Sequence, residues 1–319
     1  MKSIKKIRIF MIAFFLIILL PACGEKPQKP APKPEDTLPE MPKVIEEIEK
    51  DILKIMTLAD KIPYFERVII QKEKIEEKSK IEKIQMAEIG EELGQESESK
   101  PKASSPQEQP KPMTIEDSIL TEILNKEKTS PEDKKEDKPP KDIAETWKSI
   151  NTTTRGLHDK WNVLEPLLIK QTVSPEILTE FEDNMDKLTN LAISKNYFGA
   201  ITTANKLTSF LPKFMAFYKK DIPPTIFVLK YHLRDVVLNA AVENYPQAQE
   251  SLNQIKEQSQ NIKTDLIEKK AKSTAEKFDA SLANLQKSLE KKDINLIKIN
   301  AAITMKNIIL MKDDLLGSI

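Results

Sequence analysis

Two histidines and one cysteine limit the chemistry that these 319 residues can do. The sharpest local candidate for a site is Tyr231-His232-Leu233-Arg234-Asp235. His232 and Asp235 are three apart and share a helical face, so the carboxylate could orient the imidazole. One reading is a polar pocket for an anionic or metal ligand, formed by Tyr231, His232, Arg234 and Asp235. The other, and the expectation here, is an interhelical ion pair that fixes register, with His232 at a partly exposed surface. An unpaired buried charge costs several kcal/mol, so Arg234 and Asp235 must find partners. His158 has Asp159 beside it, Asn162 at i+4 and Glu165 at i+7, which makes it the alternative metal position; no metal is the expectation. A metalloprotease helix (HExxH), a phosphate-binding glycine loop and a nucleophile elbow (GxSxG) are all absent. No catalytic residue and no cofactor are expected, and the chain does not read as an enzyme.

The elements around these residues are helical. Glycine is scarce at six, and 13 of the 21 prolines fall in two stretches, Pro27–Pro42 and Pro101–Pro140, so prolines mark linkers rather than strand turns. From residue 141 the apolar spacing is regular. Ile143, Trp147, Ile150, Thr154, Leu157, Trp161, Leu164 and Leu168 form a heptad seam. Pro166 should kink or end that helix. Ser174-Pro175-Glu176 reads as a helix start with a capping hydroxyl. Ile177 to Leu191 gives a second helix, and Tyr197 to Tyr218 a third. The segment 224–244 is apolar on nearly every side, as a surrounded helix would be. A fifth segment opens at Pro246, with a break expected near Glu268–Lys272. Asp293 should cap the last helix.

An internal repeat ties these segments together. A shift of 97 residues carries Phe181 onto Phe278, Met185 onto Leu282, Leu188 onto Leu285, Lys195 onto Lys292 and Asn196 onto Asp293. Pro212 falls on Ile309, so a kink in the third helix belongs to the first half alone. The expected fold is all-α: an elongated antiparallel helical bundle, a duplicated three-helix unit joined by the apolar helix, with disordered Pro-rich N-terminal linkers. Tyr197, Phe198, Phe210, Phe214, Phe217, Tyr218, Phe227 and Tyr231 crowd one window and read as core.

Upstream, residues 43–94 form a helical arm or hairpin, with Val44, Ile48, Ile52, Ile55, Ala59 and Ile62 at helical spacing and Pro63 as a break. Whether it docks on the body or reaches for another protein is open at this stage. Residues 95–140 read as a disordered linker with a short helix over Met113–Lys126. Residues 23–42 read as a Pro-rich tether with too few apolar groups to fold.

Lys2, Lys5, Lys6 and Arg8 precede an uninterrupted apolar run, Ile9 to Leu20, of signal-peptide length and too short for a membrane span. Leu20-Pro21-Ala22-Cys23 closes the run. This segment resembles a bacterial lipoprotein signal peptide, in which a leucine and small residues precede the cysteine that is lipidated. Leu20, Ala22 and Cys23 match, while Pro21 stands where a small non-proline residue is usual. The resemblance implies cleavage after residue 22, palmitate-type acylation of Cys23, and a protein on the extracytoplasmic face of the cell membrane. Two acyl chains suffice for stable anchoring. With Cys23 acylated, no free thiol remains. The body is similar to helical-bundle lipoproteins, a likeness that implies no activity. The GxHxxE motif of imelysin-like iron-binding bundles is not met, because Trp161 stands where glutamate belongs after Gly156 and His158.

Removing the four basic residues of the signal leaves 46 basic against 50 acidic side chains. So mildly acidic a chain is a poor nucleic-acid binder. The expected partners are the membrane, through lipid on Cys23, and a protein or cell-envelope component held by the bundle. The alternative is a small-ligand or metal-binding bundle acting as a carrier or sensor subunit.

Overall fold

The computed structural model describes residues 38–92, 111–127, 139–219 and 221–317. The signal segment, Cys23, the tether up to residue 37 and most of the linker lie outside the described residues. The described chain is all-α and packs as a bundle. The one β-type contact among these residues is an isolated bridge between Glu40 and Lys219.

The first helices are α1 (Lys43–Asp60) and α2 (Ile62–Glu92), then a single 3-10 turn (Ile115–Asp117) and α3 (Thr121–Glu127). The body continues with α4 (Ile143–Lys170), α5 (Pro175–Ile193), α6 (Tyr197–Thr208) and the short α7 (Leu211–Met215). It closes with α8 (Pro224–Ala241), α9 (Tyr245–Glu268), α10 (Lys272–Glu290) and α11 (Ile294–Leu316). The prolines act largely as the spacing suggests. Pro63, Pro175, Pro224 and Pro246 sit in first turns, where the missing N–H costs nothing. Pro166 neither ends nor breaks α4, which runs four residues further. Ser174 is the N-cap of α5, but its hydroxyl makes no capping bond; the helix start rests on Pro175.

The repeated unit has four helices, one more than the sequence suggests. In the second half α8, α9, α10 and α11 pack in a ring, each against the next, with α11 returning to α8. In the first half α4, α5 and α6 follow the same path, and α1 supplies the fourth wall by packing on both α4 and α6. The equivalence extends to register. A shift of 181 residues carries Lys43 onto Pro224 and Asp60 onto Ala241, so α1 and α8 coincide end to end. Ile45, Ile48, Ile52, Ile55, Met56 and Ala59 then fall on Ile226, Leu229, Leu233, Val236, Val237 and Ala240, all of them buried. The first part of the 43–94 segment is thus docked into the body's core, while α2 buries Ile62, Phe65 and Val68 and is half-buried or exposed from there to residue 84.

Turn chemistry repeats as well. Thr172, Lys195, Lys270 and Lys292 all take left-handed φ values, between 54° and 63°. Each closes a Schellman turn: Asn196 N–H reaches Leu191 O, and Asp293 N–H reaches Ser288 O at the matching point. Asn196 and Asp293 then cap α6 and α11 through their side chains. The break expected in the first half alone is present. α6 stops at Thr208 and Pro212 stands in the first turn of α7, whereas α11 runs straight through Ile309.

Hairpin order fixes direction. α4 and α6 run parallel, with α5 antiparallel between them. The chain leaving α7 brings the Lys219 N–H within 2.8 Å of Pro39 O, just ahead of α1. Consequently α1 runs antiparallel to α4 and α6, and its first turn sits at the pole where α4 ends.

Candidate functional site: a buried ionic cluster and its strap

Residues 111–127 form a strap across the body. Leu120, Ile123 and Leu124 are buried, and α3 packs on α11 and on α1. The helical stretch is shorter than the sequence suggests, starting at Thr121 rather than Met113. Three polar anchors hold the strap. The Asp60 carboxylate, at the end of α1, accepts the N–H groups of Ile119 at 2.8 Å and Leu120 at 2.9 Å and the Thr121 hydroxyl at 2.8 Å. It thereby caps α3 from a different helix. Arg67 of α2 holds Asp117 through both of its carboxylate oxygens, at 2.7 and 2.5 Å. Lys298 of α11 donates to Ile115 O at 2.9 Å.

At the strap's far end, Glu127 enters the core. Arg234 is 2% exposed and donates through Nη1 to both Glu127 oxygens, at 2.9 and 2.7 Å. Its Nε donates to Asn205 Oδ1 at 2.8 Å and its Nη2 to Thr208 Oγ1 at 2.9 Å. Lys230, one turn earlier on α8, pairs with Glu127 at 2.9 Å and with Glu49 of α1 at 3.0 Å. Glu49 and Lys230 are themselves equivalent positions under the shift that superimposes α1 on α8. The cluster thus ties α1, α3, α6 and α8 together where the two halves meet.

Electrostatics follow from this geometry. Burial pushes the Glu127 carboxyl up, but the charges of Arg234 and Lys230 outweigh it and bring the pKa down to about 2. Burial also works against the Lys230 ammonium, and the Glu127 and Glu49 carboxylates overcome it, raising the pKa. For Asp60 burial wins over the hydrogen bonds from Ile119, Thr121 and Leu120, and its pKa is raised. Burial lowers that of Lys298 despite Asp60 and Glu116 nearby.

The four residues read from sequence as a pocket do not converge on one point. Arg234 faces the ionic cluster and is engaged along both edges of its guanidinium, as a register-fixing pair would be. Asp235 faces α9 and accepts the Ser251 hydroxyl at 2.5 Å. The His232 ring lies 4.8 Å from the Tyr231 ring, centroid to centroid. His232 Nδ1 is buried and has no hydrogen-bond partner among the described residues. Burial lowers the His232 pKa against the pull of Asp235 and Glu250. Burial, helped by Asp235, pushes the Tyr231 phenol up to about 12.

His158 Nε2 is 2.8 Å from Thr189 Oγ1. That hydroxyl donates to Met185 O, so the imidazole N–H donates to it. No group of three or more His, Cys, Asp or Glu side chains suited to a metal ion occurs among the described residues. Of the aromatic window, Phe210, Phe214, Tyr218 and Phe227 are buried in the core, Tyr197, Phe198 and Phe217 pack against it partly buried, and Tyr231 is half-buried. Phe210 and Phe214 pack with Trp161 and Phe181 at centroid distances of 4.6 to 6.4 Å.

Glu127 and Asp60, the two acids that matter most, escape a search for motifs. Their signal is positional. Glu127 continues the buried stripe Leu120, Ile123, Leu124, and Asp60 ends the stripe Ile52, Met56, Ala59. An acid on an apolar stripe implies a buried partner. Comparison with family models, curated proteins and solved structures finds no match.

Proposed function

We propose that the protein is a membrane-anchored extracytoplasmic lipoprotein, held by lipid on Cys23, whose bundle binds a protein or cell-envelope partner and catalyses no reaction. One observation carries the binding reading. Leu296, Ile299 and Ile303 form a solvent-facing stripe on α11, each between 37% and 46% exposed. Their spacing of three and four places them on one helical face. The opposite side of α11 packs on α8, α10 and α3, so the helix is apolar nearly all round. By length and composition α11 could cross a membrane, but half of its apolar window is buried in the bundle.

The repeated unit does not require this stripe. The equivalent positions of α6 are Gly199, Thr202 and Lys206. A row of isoleucines and leucine kept in water is suited to a helix or groove on another protein. The carrier or sensor reading has less support, because Arg234, the strongest ligand-binding group, is spent on Glu127, Asn205 and Thr208.

The test uses the full chain in its own envelope. A photo-crosslinking residue at Ile299 should capture a discrete partner that Ile303→Asp abolishes. Cys23→Ser should abolish acylation and move the protein out of the membrane fraction. Equal crosslinking at Ile299 and at Thr202 would sink the stripe, and an unmodified Cys23 would sink the anchor.

A further inference from the structure

The end of α4 carries a second apolar patch. Val163, Leu167 and Ile169 are between 38% and 58% exposed, and Pro166 is exposed among them. They occupy the last two turns of the helix, with Lys170 at the margin. Nothing in the repeated architecture asks for them. With the turn after α4 one residue longer than that after α9, Leu164 and Leu168 fall on Ile262 and Leu266, all buried. In that register Val163, Pro166 and Leu167 fall on Asn261, Thr264 and Asp265. The second half has kept only Ile267, opposite Ile169.

The position of the patch says what it faces. The chain enters the body at Pro39, fixed there by Lys219, and α1 starts at the pole where α4 ends. Fifteen residues lie between Cys23 and Pro39, a span of about 50 Å at the ~3.1 Å per residue of a polyproline conformation. The pole bearing the patch is therefore the part of the body that the chain from Cys23 reaches first.

We infer that the α4 end, through Val163, Pro166, Leu167 and Ile169, is the membrane-facing surface of the body and seats its apolar side chains in the headgroup layer of the bilayer. This rests on the proposal that Cys23 is acylated. Lipid attachment keeps the body within reach of the surface, and the patch sets which way it faces. A few exposed apolar side chains bind a bilayer weakly alone but are effective once the protein is already tethered there.

The experiment needs the acylated full chain in vesicles of phosphatidylcholine and phosphatidylglycerol, and it needs a unique thiol. Cys23 is the only native cysteine, and acylation consumes it. Leu167→Cys labelled with an environment-sensitive fluorophore should shift to the blue on reconstitution and resist a water-soluble quencher. Ser194→Cys, the same dye in the exposed turn after α5 at the opposite pole, should do neither. Both positions are on the surface, so both variants should fold. A label at 167 that stays fully quenchable, in protein that floats with the vesicles and gives the acylated N-terminal peptide by mass, overturns the orientation and leaves the anchor standing. Protein that neither floats nor carries the lipid mass overturns the anchor and the orientation with it.

Discussion

Removing the Glu127 side chain tests whether the buried cluster holds the strap and the two halves together. Glu127→Ala leaves Arg234 buried without its carboxylate and Lys230 with Glu49 alone. Breaking a buried pair from one side costs about 3–5 kcal/mol, because the remaining charge is stranded. Linkage gives a second estimate. The Glu127 pKa falls from 4.5 to about 2 on folding, which corresponds to about 3 kcal/mol. The two routes agree, and either amount is a large share of the ~5–15 kcal/mol that keeps a domain folded. The sign follows from the depressed pKa. This stability is fully present above about pH 4.5 and is lost as pH falls through about 2. Urea unfolding should therefore show Glu127→Ala about 3–5 kcal/mol below the parent at pH 7, and the gap should narrow on going to pH 2.5. Hydrogen exchange should speed up at Ile119 and Leu120, whose amides depend on the strap staying seated. A deficit under 1 kcal/mol, or one that is the same at both pH values, would refute the reasoning.

Asp60 should behave in the opposite sense. Its raised pKa means that its contribution is complete at low pH and is lost as pH rises through the folded value. Asp60→Asn should abolish that alkaline-side loss, and Asp60→Ala should cost about 1–2 kcal/mol of capping, both read by urea unfolding against pH. Ile52→Ala in α1 and Leu233→Ala in α8 sit at equivalent buried positions, and each should cost about 2–5 kcal/mol by the same assay; a negligible effect at Ile52 would mean that α1 is not part of the core. Lys195→Gly should stabilise by about 1 kcal/mol, because φ is 57° there and a β-carbon is strained in that conformation.

The sequence was most legible where one helix packs on its sequence neighbours. The seam Ile143 to Leu168 is buried as its spacing required, except that Ile143 is only partly covered. The match of Lys195-Asn196 with Lys292-Asp293 found the turns, although their left-handed conformation is invisible in a lysine, because glycine is the usual signal. Composition was a poorer guide to α1. Its stripe was plain, but its wheel is charged on the outer face, unlike that of α8, and no local feature announced that it completes the first ring. Long-range polar contacts were the least legible. Arg234 was recognised as needing a partner, but the partner lies 107 residues away, inside the second proline-rich stretch, which reads as a linker.

Chain order explains why the strap carries so many polar anchors. In the second half α8 is joined to α9 by three residues, 242–244, whereas α1 and α4 are separated by residues 61–142. A logarithmic closure law makes the longer connection costlier by about 3 kcal/mol. The strap is pinned within that connection at Arg67–Asp117, at Asp60, at Lys298 and at Glu127–Arg234, which divides one long closure into shorter ones. The second half is built from tight hairpins and needs none of this. Loosening the strap should therefore reach α1 first. In Glu127→Ala, exchange of the α1 amides should rise before that of α9 or α10, and simultaneous loss of protection in both halves would show that the cluster fastens the whole bundle rather than the first ring alone.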